Sequence, residues 1–109
     1  DISGPEEMRA RLEQIAGTVA RRLQTAGEEG GPVRGRTVTL KLKRHDHQVS
    51  TRQTTLERAV ASKDELFALA ERLLRRPRPP TEPVRLLGIS VSSLTGQGQV
   101  GEQLELEFP

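Results

Sequence analysis

Hydrophobic residues recur along the first quarter of the chain at the spacing of an α-helix. Steps of three and four place them on one side of a helix with 3.6 residues per turn. This apolar stripe consists of Met8, Leu12, Ile15, Val19 and Leu23. Ser3 followed by Glu6 has the spacing of a capping box, and Gly27 is suited to a left-handed helix stop. We therefore expect a helix over residues 3–26.

From Arg36 the hydrophobic period changes to two, which indicates a half-buried β-strand. Val38, Leu40 and Leu42 point one way, and Thr37, Thr39, Lys41 and Lys43 point the other way. The polar run "RHDHQ" predicts a turn, and "VSTRQTTL" is rich in β-branched residues, so a hairpin partner over residues 49–55 follows. The buried face of this partner stays open, because Val49 and Leu56 have opposite parity.

A second helix and a further strand complete the pattern. Ser62 with Glu65 forms another capping box ahead of an apolar helical face, and the prolines of "RRPRPP" must end that helix. The run "VRLLGISVSSL" is apolar on both parities, which is typical of an inner strand. Gly88 within it indicates a bulge or a close backbone approach.

These elements predict an α+β two-layer sandwich. Its antiparallel sheet has three to four strands, backed on one face by two antiparallel helices. The 109 residues suffice for one small domain over residues 1–94, and the glycine-rich "TGQGQVG" opens a flexible tail over residues 95–109. The other sheet face has no predicted cover, and Lys41 and Lys43 stand on it.

Charge is distributed unevenly along the chain. Six cations lie between residues 34 and 52 against one acid, whereas the last eight residues hold three glutamates and no base. A basic face rich in hydroxyls suits a phosphate backbone, although a merely solvated sheet face remains the alternative. The aromatic residues are Phe67 and Phe108, so a platform for stacking unpaired bases is missing and RNA binding is disfavoured.

The sequence contains no recognisable catalytic or metal site. Cysteine is absent, and His45-Asp46-His47 lies in a single turn without a further ligand, so solvated histidines are the expectation. No glycine-rich phosphate loop opens a helix, and no apolar run approaches the roughly 20 residues of a membrane span. These features agree with a cytoplasmic protein. Because the chain begins at Asp1 and not at methionine, we expect it to be a fragment.

Three segments together resemble a known family. "GRTVTLKLKRHDHQVSTRQTTL", "ASKDELFALAERLL" and "PVRLLGISVSSL" are similar to the little-finger (polymerase-associated) domain of Y-family translesion DNA polymerases, of the bacterial DNA polymerase IV (DinB) type. The resemblance implies a four-stranded sheet backed by two helices, whose open face grips primer-template duplex DNA. It also implies that the family's first strand is missing from this chain.

The resemblance further implies a non-catalytic DNA-holding module of an error-prone polymerase acting in DNA repair. The catalytic acids, and the Mg that the parent enzyme would use, belong to a separate palm domain; no cofactor is expected in this fragment. The other implied partners are the palm, fingers and thumb.

DNA-contacting positions can be transferred from the family residue by residue. They are Thr39, Lys41, Lys43, Arg44, Arg52, Thr54, Arg85 and Ser90. The alternation of residues independently supports Thr39, Lys41 and Lys43. Arg85 shares parity with Leu87 and Ile89, so it needs a bulge at Gly88 to face outward.

The C-terminal "QLELEF" resembles the peptide with which such polymerases bind the bacterial sliding clamp. The resemblance implies that Leu104, Leu106 and Phe108 enter an apolar cleft while Gln103 bonds its rim. An edge strand packing the same apolar residues inward is the alternative, and the period of two does not separate them.

Two functions from different classes follow. The first is a DNA-binding and clamp-binding module of a lesion-bypass polymerase. The second is a protein-interaction domain of an inactive polymerase-like relative, in which the basic face contacts a protein.

Overall fold

The computed structural model describes residues 4–27, 30–76, 80, 83–96 and 104–108, and of 95–96 and 104–108 it describes the backbone. The elements in chain order are α1 (Pro5–Leu23), β1 (Val33–Arg44), β2 (Val49–Val60), α2 (Lys63–Arg75), β3 (Val84–Gly96) and β4 (Leu104–Phe108). Within these ranges, no helix has the length and apolar character needed to cross a bilayer.

Helix α1 begins and ends inside the predicted range. Gly4 is its N-cap, with φ 87°, and Pro5 occupies the first turn, where a missing amide hydrogen costs nothing. Ser3, the predicted cap, lies outside the described residues. The predicted stop at Gly27 is wrong, because the helix ends at Leu23 with Gln24 as C-cap. The Gly27 amide instead donates to Gly31 O at 2.8 Å in the following loop.

Helix α2 begins where the sequence predicts. The Glu65 amide donates to Ser62 Oγ at 3.1 Å, and Glu65 Oε1 accepts from the Ser62 amide at 3.4 Å. This reciprocal pair is the predicted capping box. The helix ends at Arg75, two residues before Pro77.

The sheet is antiparallel with strand order β2-β1-β3-β4. Helix α1 packs against β3 and β4, α2 packs against β1 and β2, and the two helices contact each other. The predicted α+β sandwich is confirmed. The buried core lies between the helices and one sheet face, and its largest fully buried side chains include Leu12, Ile15, Leu23, Leu40, Leu66, Leu87, Ile89 and Leu94.

The fourth strand is the C-terminal segment. Leu104 pairs with Val91, Leu106 with Ile89 and Phe108 with Leu87 in the backbone register. The backbone of Leu104–Phe108 thus lies at the edge of the sheet beside β3. Gln103 lies outside the described residues.

Cross-strand pairing shows which residues share a face. Leu40 lies opposite Arg52 on β2 and opposite Ile89 on β3, and Leu40 and Ile89 are fully buried. Even-numbered positions in this part of β1 and β2 therefore face the helices. Val49 consequently faces away from them and is exposed, which resolves the ambiguity in β2.

The alternation between the two sheet faces is interrupted near the N-terminal end of β1. Val33 and Gly35 are buried, the register against β2 shifts between Gly35 and Thr37, and Val38 is buried again. Since two residues lie between the buried Gly35 and Val38, Arg34 and Arg36 face the same way as Thr39.

The alternation of buried residues is also interrupted in β3, opposite this part of β1. Val91 and Leu94 are both fully buried although three positions apart, and Ser93 between them has φ 56°.

The other end of β3 carries a register shift as well. Lys43 pairs with Leu86, but Arg44 pairs with Val84, which makes Arg85 the extra residue. Gly88 pairs with Lys41 without a shift. The bulge predicted at Gly88 therefore lies at Arg85 itself.

Candidate nucleic-acid interface

We define the open face as the side of the sheet opposite the two helices. Along β1 it presents Thr39, Lys41 and Lys43, each half-buried, as the alternation of residues predicts. Across the strands, Thr39 lies between Gln53 and Ser90, Lys41 between Thr51 and Gly88, and Lys43 between Val49 and Leu86.

The spacing of Lys41 and Lys43 can be compared with the spacing of charges along a linear polyanion. The two lysines are two residues apart on one face of a strand, which separates their Cα atoms by about 6.7 Å. This matches two steps of about 3.4 Å along one DNA strand. Gly88 beside Lys41 has no side chain, so a phosphate backbone can approach β3 closely at this row.

Ser90 also lies on the open face, opposite Thr39, but it is 6% exposed. Its position agrees with the predicted contact, and its burial leaves little surface for one. Arg85 is exposed and lies at the edge of the open face, where its Nη1 is 3.4 Å from His47 Nε2.

Arg44 lies at the base of the β1–β2 hairpin and forms an ion pair. Its Nη2 is 2.8 Å from Asp46 Oδ2, and Asp46 Oδ1 accepts from the Gln48 amide at 3.2 Å. The Arg44 side-chain hydrogen bond, followed by that amide, lowers the pKa of Asp46 to about 2. Asp46 thus offsets the charge of Arg44, which the prediction treated as a DNA contact.

Two predicted DNA-contacting residues lie on the opposite side of the sheet. Arg52 pairs with Leu40 and Thr54 pairs with Val38, so both face the helices. Arg52 Nη1 donates to the carbonyl oxygens of Leu73, at 3.0 Å, and Leu74 at the end of α2. Arg52 and Thr54 therefore do not share the open face with Thr39, Lys41 and Lys43.

Arg52 and Thr54 instead line a cleft of about 510 Å³ between β2 and α2. The other lining residues are Gln53, Leu69, Arg72, Leu73 and Arg76.

The prediction omitted Arg34 and Arg36, which the β1 irregularity adds to the open face. Here the buried positions are the odd-numbered Val33 and Gly35, whereas the core-facing positions further along β1 are even-numbered. A strict period of two therefore does not predict that Arg34 and Arg36 lie on the open face. The signal in the sequence is Gly35, because a glycine inside a strand commonly marks a bulge.

The described residues include no group of three histidine, cysteine, aspartate or glutamate side chains that could hold a metal ion. His45 and His47 are both exposed in the hairpin turn.

Comparison with known proteins identifies the family. The model of the impB/mucB/samB family C-terminal domain matches residues 1–106. The chain belongs to this family. It is a domain of Y-family DNA polymerases, the enzymes of translesion synthesis, which confirms the family to which the sequence segments were assigned.

Relatives occur in bacteria and in mammals. The chain is 42% identical over 94 residues to DNA polymerase IV of Alkalilimnicola ehrlichii, covering 86% of this chain and 25% of the relative. It is 35% identical over 108 residues to DNA polymerase IV of Clostridium perfringens, covering 99% and 29%. DNA polymerase kappa of Mus musculus is 33% identical over 101 residues, covering 89% and 11%. The chain thus spans less than a third of the length of these relatives.

Proposed function

We propose that the open face binds the sugar-phosphate backbone of duplex DNA. The observation that carries the proposal is the alignment of Lys41 and Lys43 on the sheet face opposite the two helices, beside hydroxyl-bearing residues of β2 and β3. Lysines supply charge to phosphates, and hydroxyls supply hydrogen bonds that position the backbone.

Among the side chains that the structure describes, no aromatic ring lies near the lysines, which favours duplex over single-stranded nucleic acid. Phe67 is packed against the core from α2, with the Arg9 guanidinium 5.7 Å from its ring centroid. Base stacking on aromatic residues drives most single-strand recognition. Binding through phosphates alone should show little sequence preference.

Within the parent protein, this domain would hold primer-template duplex for a polymerase active site located elsewhere. The relatives named DNA polymerase IV and DNA polymerase kappa support that role. The catalytic acids and their Mg ions would belong to another domain of that parent protein.

Titration of duplex DNA at several salt concentrations tests the proposal. Lys41→Gln with Lys43→Gln should weaken binding of unrelated sequences alike, and should reduce the slope of log affinity against log salt by about 1.8, since each phosphate contact contributes about 0.9. Arg22→Gln with Arg72→Gln is the control, because it removes the same charge from exposed helical positions. Equal binding by both double variants would overturn the DNA interface and favour a protein partner for the open face.

A second proposal concerns the C-terminal segment as a sliding-clamp peptide formed by Gln103, Leu104, Leu106 and Phe108. Its support is the sequence "QLELEF" and the extended backbone of Leu104–Phe108. An extended peptide with alternating apolar side chains suits an apolar cleft.

Calorimetric titration with a bacterial sliding clamp, beside a chain ending at Gly101, tests this second proposal. Loss of binding on truncation would support a clamp peptide, and the absence of binding by either chain would refute it. The melting temperature of the shortened chain separately reports how much β4 stabilises the sheet.

A further inference from the structure

Strand β2 lies at one edge of the sheet. The strand order is β2-β1-β3-β4, and among the described residues β1 is its only strand partner. β2 runs for 12 residues, from Val49 to Val60, and contains no proline. An edge strand directs one row of backbone N–H and C=O groups away from its neighbour, and a further extended chain can pair with that row. The outer edge of β2 is therefore suited to accept a strand from another molecule.

The cleft between β2 and α2 adjoins this edge, because β2 forms one of its walls. Leu69 and Leu73 of α2 contribute half-buried apolar surface that packs against the core. The remaining lining is polar and includes no acidic residue, and its cations are Arg52, Arg72 and Arg76. The cleft thus combines positive charge with an apolar wall.

Two of these arginines are exposed at the mouth of the cleft. Neither Arg72 nor Arg76 forms an ion pair with another residue that the structure describes. The nearest acid along α2 is Glu71, and its carboxylate pairs with Arg9 at 2.7 Å and with Arg75 at 3.4 Å. The charges of Arg72 and Arg76 are therefore open to an anionic partner.

Arg52 fixes a positive charge in the wall that β2 provides. Its Nη1 donates to the carbonyl oxygens of Leu73 and Leu74, which hold the side chain in place. Arg52 and Thr54 are two residues apart, and both face the helices and line the cleft. Residues that lie opposite each other in a sheet share a face. Every second side chain of a strand added to β2 would therefore enter the cleft.

We propose that the edge of β2 and the adjoining cleft bind an acidic, extended segment of a partner protein. The segment would pair with β2 as a further strand. One apolar side chain would contact Leu69 and Leu73, and carboxylates two residues before and after it would approach Arg72 and Arg76. The charge of the cleft determines this choice, because its lining contains three arginines and no acid.

A peptide suits this site better than a nucleic acid does. Strand pairing requires backbone amides and carbonyls, and leucine side chains offer no aromatic surface on which bases stack. The cleft also lies on the helix side of the sheet, whereas Lys41 and Lys43 lie on the open face. The peptide site is thus separate from the surface proposed for DNA and does not rest on it.

The test is an NMR titration of the chain with a capped peptide of sequence SETLTES. The peptide should shift the backbone amides of β2 and the methyl groups of Leu69 and Leu73. Its counterpart SQTLTQS should bind the wild type about three- to tenfold more weakly, because it lacks the two carboxylates.

Variants of the arginines assign the effect to the cleft. Arg72→Gln with Arg76→Gln should bind both peptides alike, because the charged partners of the carboxylates are removed. Arg21→Gln with Arg22→Gln is the matched control, since it removes the same charge from exposed positions at the end of α1, and it should bind like the wild type. Melting temperatures report whether each variant folds. If the cleft variant does not fold, the two peptides compared on the wild type decide the result.

N-methylation of the peptide tests strand addition separately. In a paired strand, the amides that face the neighbour occur at every second residue. Methylation of either the leucine amide or the threonine amides should therefore abolish binding, while the other modification leaves it unchanged. Full binding by both methylated peptides would refute the pairing with β2.

Other outcomes would overturn the proposal as a whole. These are the absence of shifts with SETLTES and equal affinities of the two peptides for the wild type. Shifts at the cleft with single-stranded oligothymidylate, and none with the peptide, would indicate a nucleic-acid site instead. A dimer in sedimentation that Arg72→Gln with Arg76→Gln dissociates would assign the cleft to a second copy of the chain.

Discussion

The guanidinium of Arg52 caps helix α2 from the neighbouring strand, with Nη1 donating to Leu73 O at 3.0 Å. The last carbonyls of a helix lack partners within the helix, and a cation there also interacts favourably with the helix dipole. Arg52 therefore joins β2 to the end of α2. Its neighbour Gln53, on the opposite parity, faces the open side.

We expect Arg52→Gln to lower the free energy of unfolding by about 1.5–3 kcal/mol, the usual range for hydrogen bonds to a charged group. Urea denaturation measures this change. Arg72→Gln, which alters an exposed arginine near the same helix end, should stay within about 0.5 kcal/mol. Duplex affinity should change less with Arg52→Gln than with Lys41→Gln; a larger change would return Arg52 to the DNA interface.

Gly35 is required by its packing. A Cβ atom there would lie 2.2 Å from Val91 Cγ1 and 3.0 Å from Ser92 O. Gly35→Ala should therefore destabilise the domain by about 1–3 kcal/mol, as overpacking does elsewhere. Thermal denaturation followed by circular dichroism measures the change.

Gly17 is the matched control for Gly35, since it is buried in α1 and a Cβ there would make only ordinary contacts, the nearest at 3.5 Å from Lys63 Cδ. Gly17→Ala should stabilise the chain by about 0.5–1 kcal/mol because alanine is the better helix former. If both variants lower the melting temperature equally, the packing argument for Gly35 is wrong.

The Ser62 capping box fixes the start of α2. Ser62→Ala should cost about 1 kcal/mol of stability, because the Glu65 amide loses its acceptor. The Ser62 side chain is also the main cause of the lowered pKa of Glu65.

The contribution of this capping box to the stability of the domain depends on pH in a definite direction. Because folding lowers the pKa of Glu65, its contribution to stability is present above the ordinary value of 4.5 and is lost as pH falls through the folded pKa. Ser62→Ala should therefore destabilise the domain more at pH 7 than at pH 3, and denaturation at the two values checks this. Equal losses would show that Glu65 is not coupled to Ser62.

Asp46 should titrate with a pKa of about 2, well below its ordinary value of 3.8. Carbonyl-detected NMR of the side chain measures this directly. Arg44→Gln should raise the pKa toward 3.8, since Arg44 provides the first of the lowering interactions. Any stability from this pair is present above pH 3.8 and disappears as pH falls through about 2. An unchanged pKa in Arg44→Gln would contradict the ion pair at the hairpin.

Much of the fold could be predicted from the sequence because the relevant signals are local. The helical spacing from Met8 to Leu23, the alternation from Val38 to Lys43 and the capping box at Ser62 each act within a few residues. For the same reason, Thr39, Lys41 and Lys43 were assigned correctly to the side of β1 that faces away from the helices. The family followed from three longer segments, and the family model confirms it.

Tertiary structure decided what depends on register between strands. From the sequence alone, Arg52 and Thr54 have the character of surface polar residues. They pair with Leu40 and Val38, and because residues opposite each other share a face, they point toward the helices. The phase change after Gly35 brings Arg36 to the open face, and the extra residue at Arg85 replaces the bulge expected at Gly88.

A period of two cannot report such one-residue shifts, since each shift exchanges the two faces for every residue beyond it. The sequence by itself thus determined the elements, the family and the central basic strand. Only the packed sheet determined which cations share that strand's face, and that the backbone of Leu104–Phe108 pairs with β3.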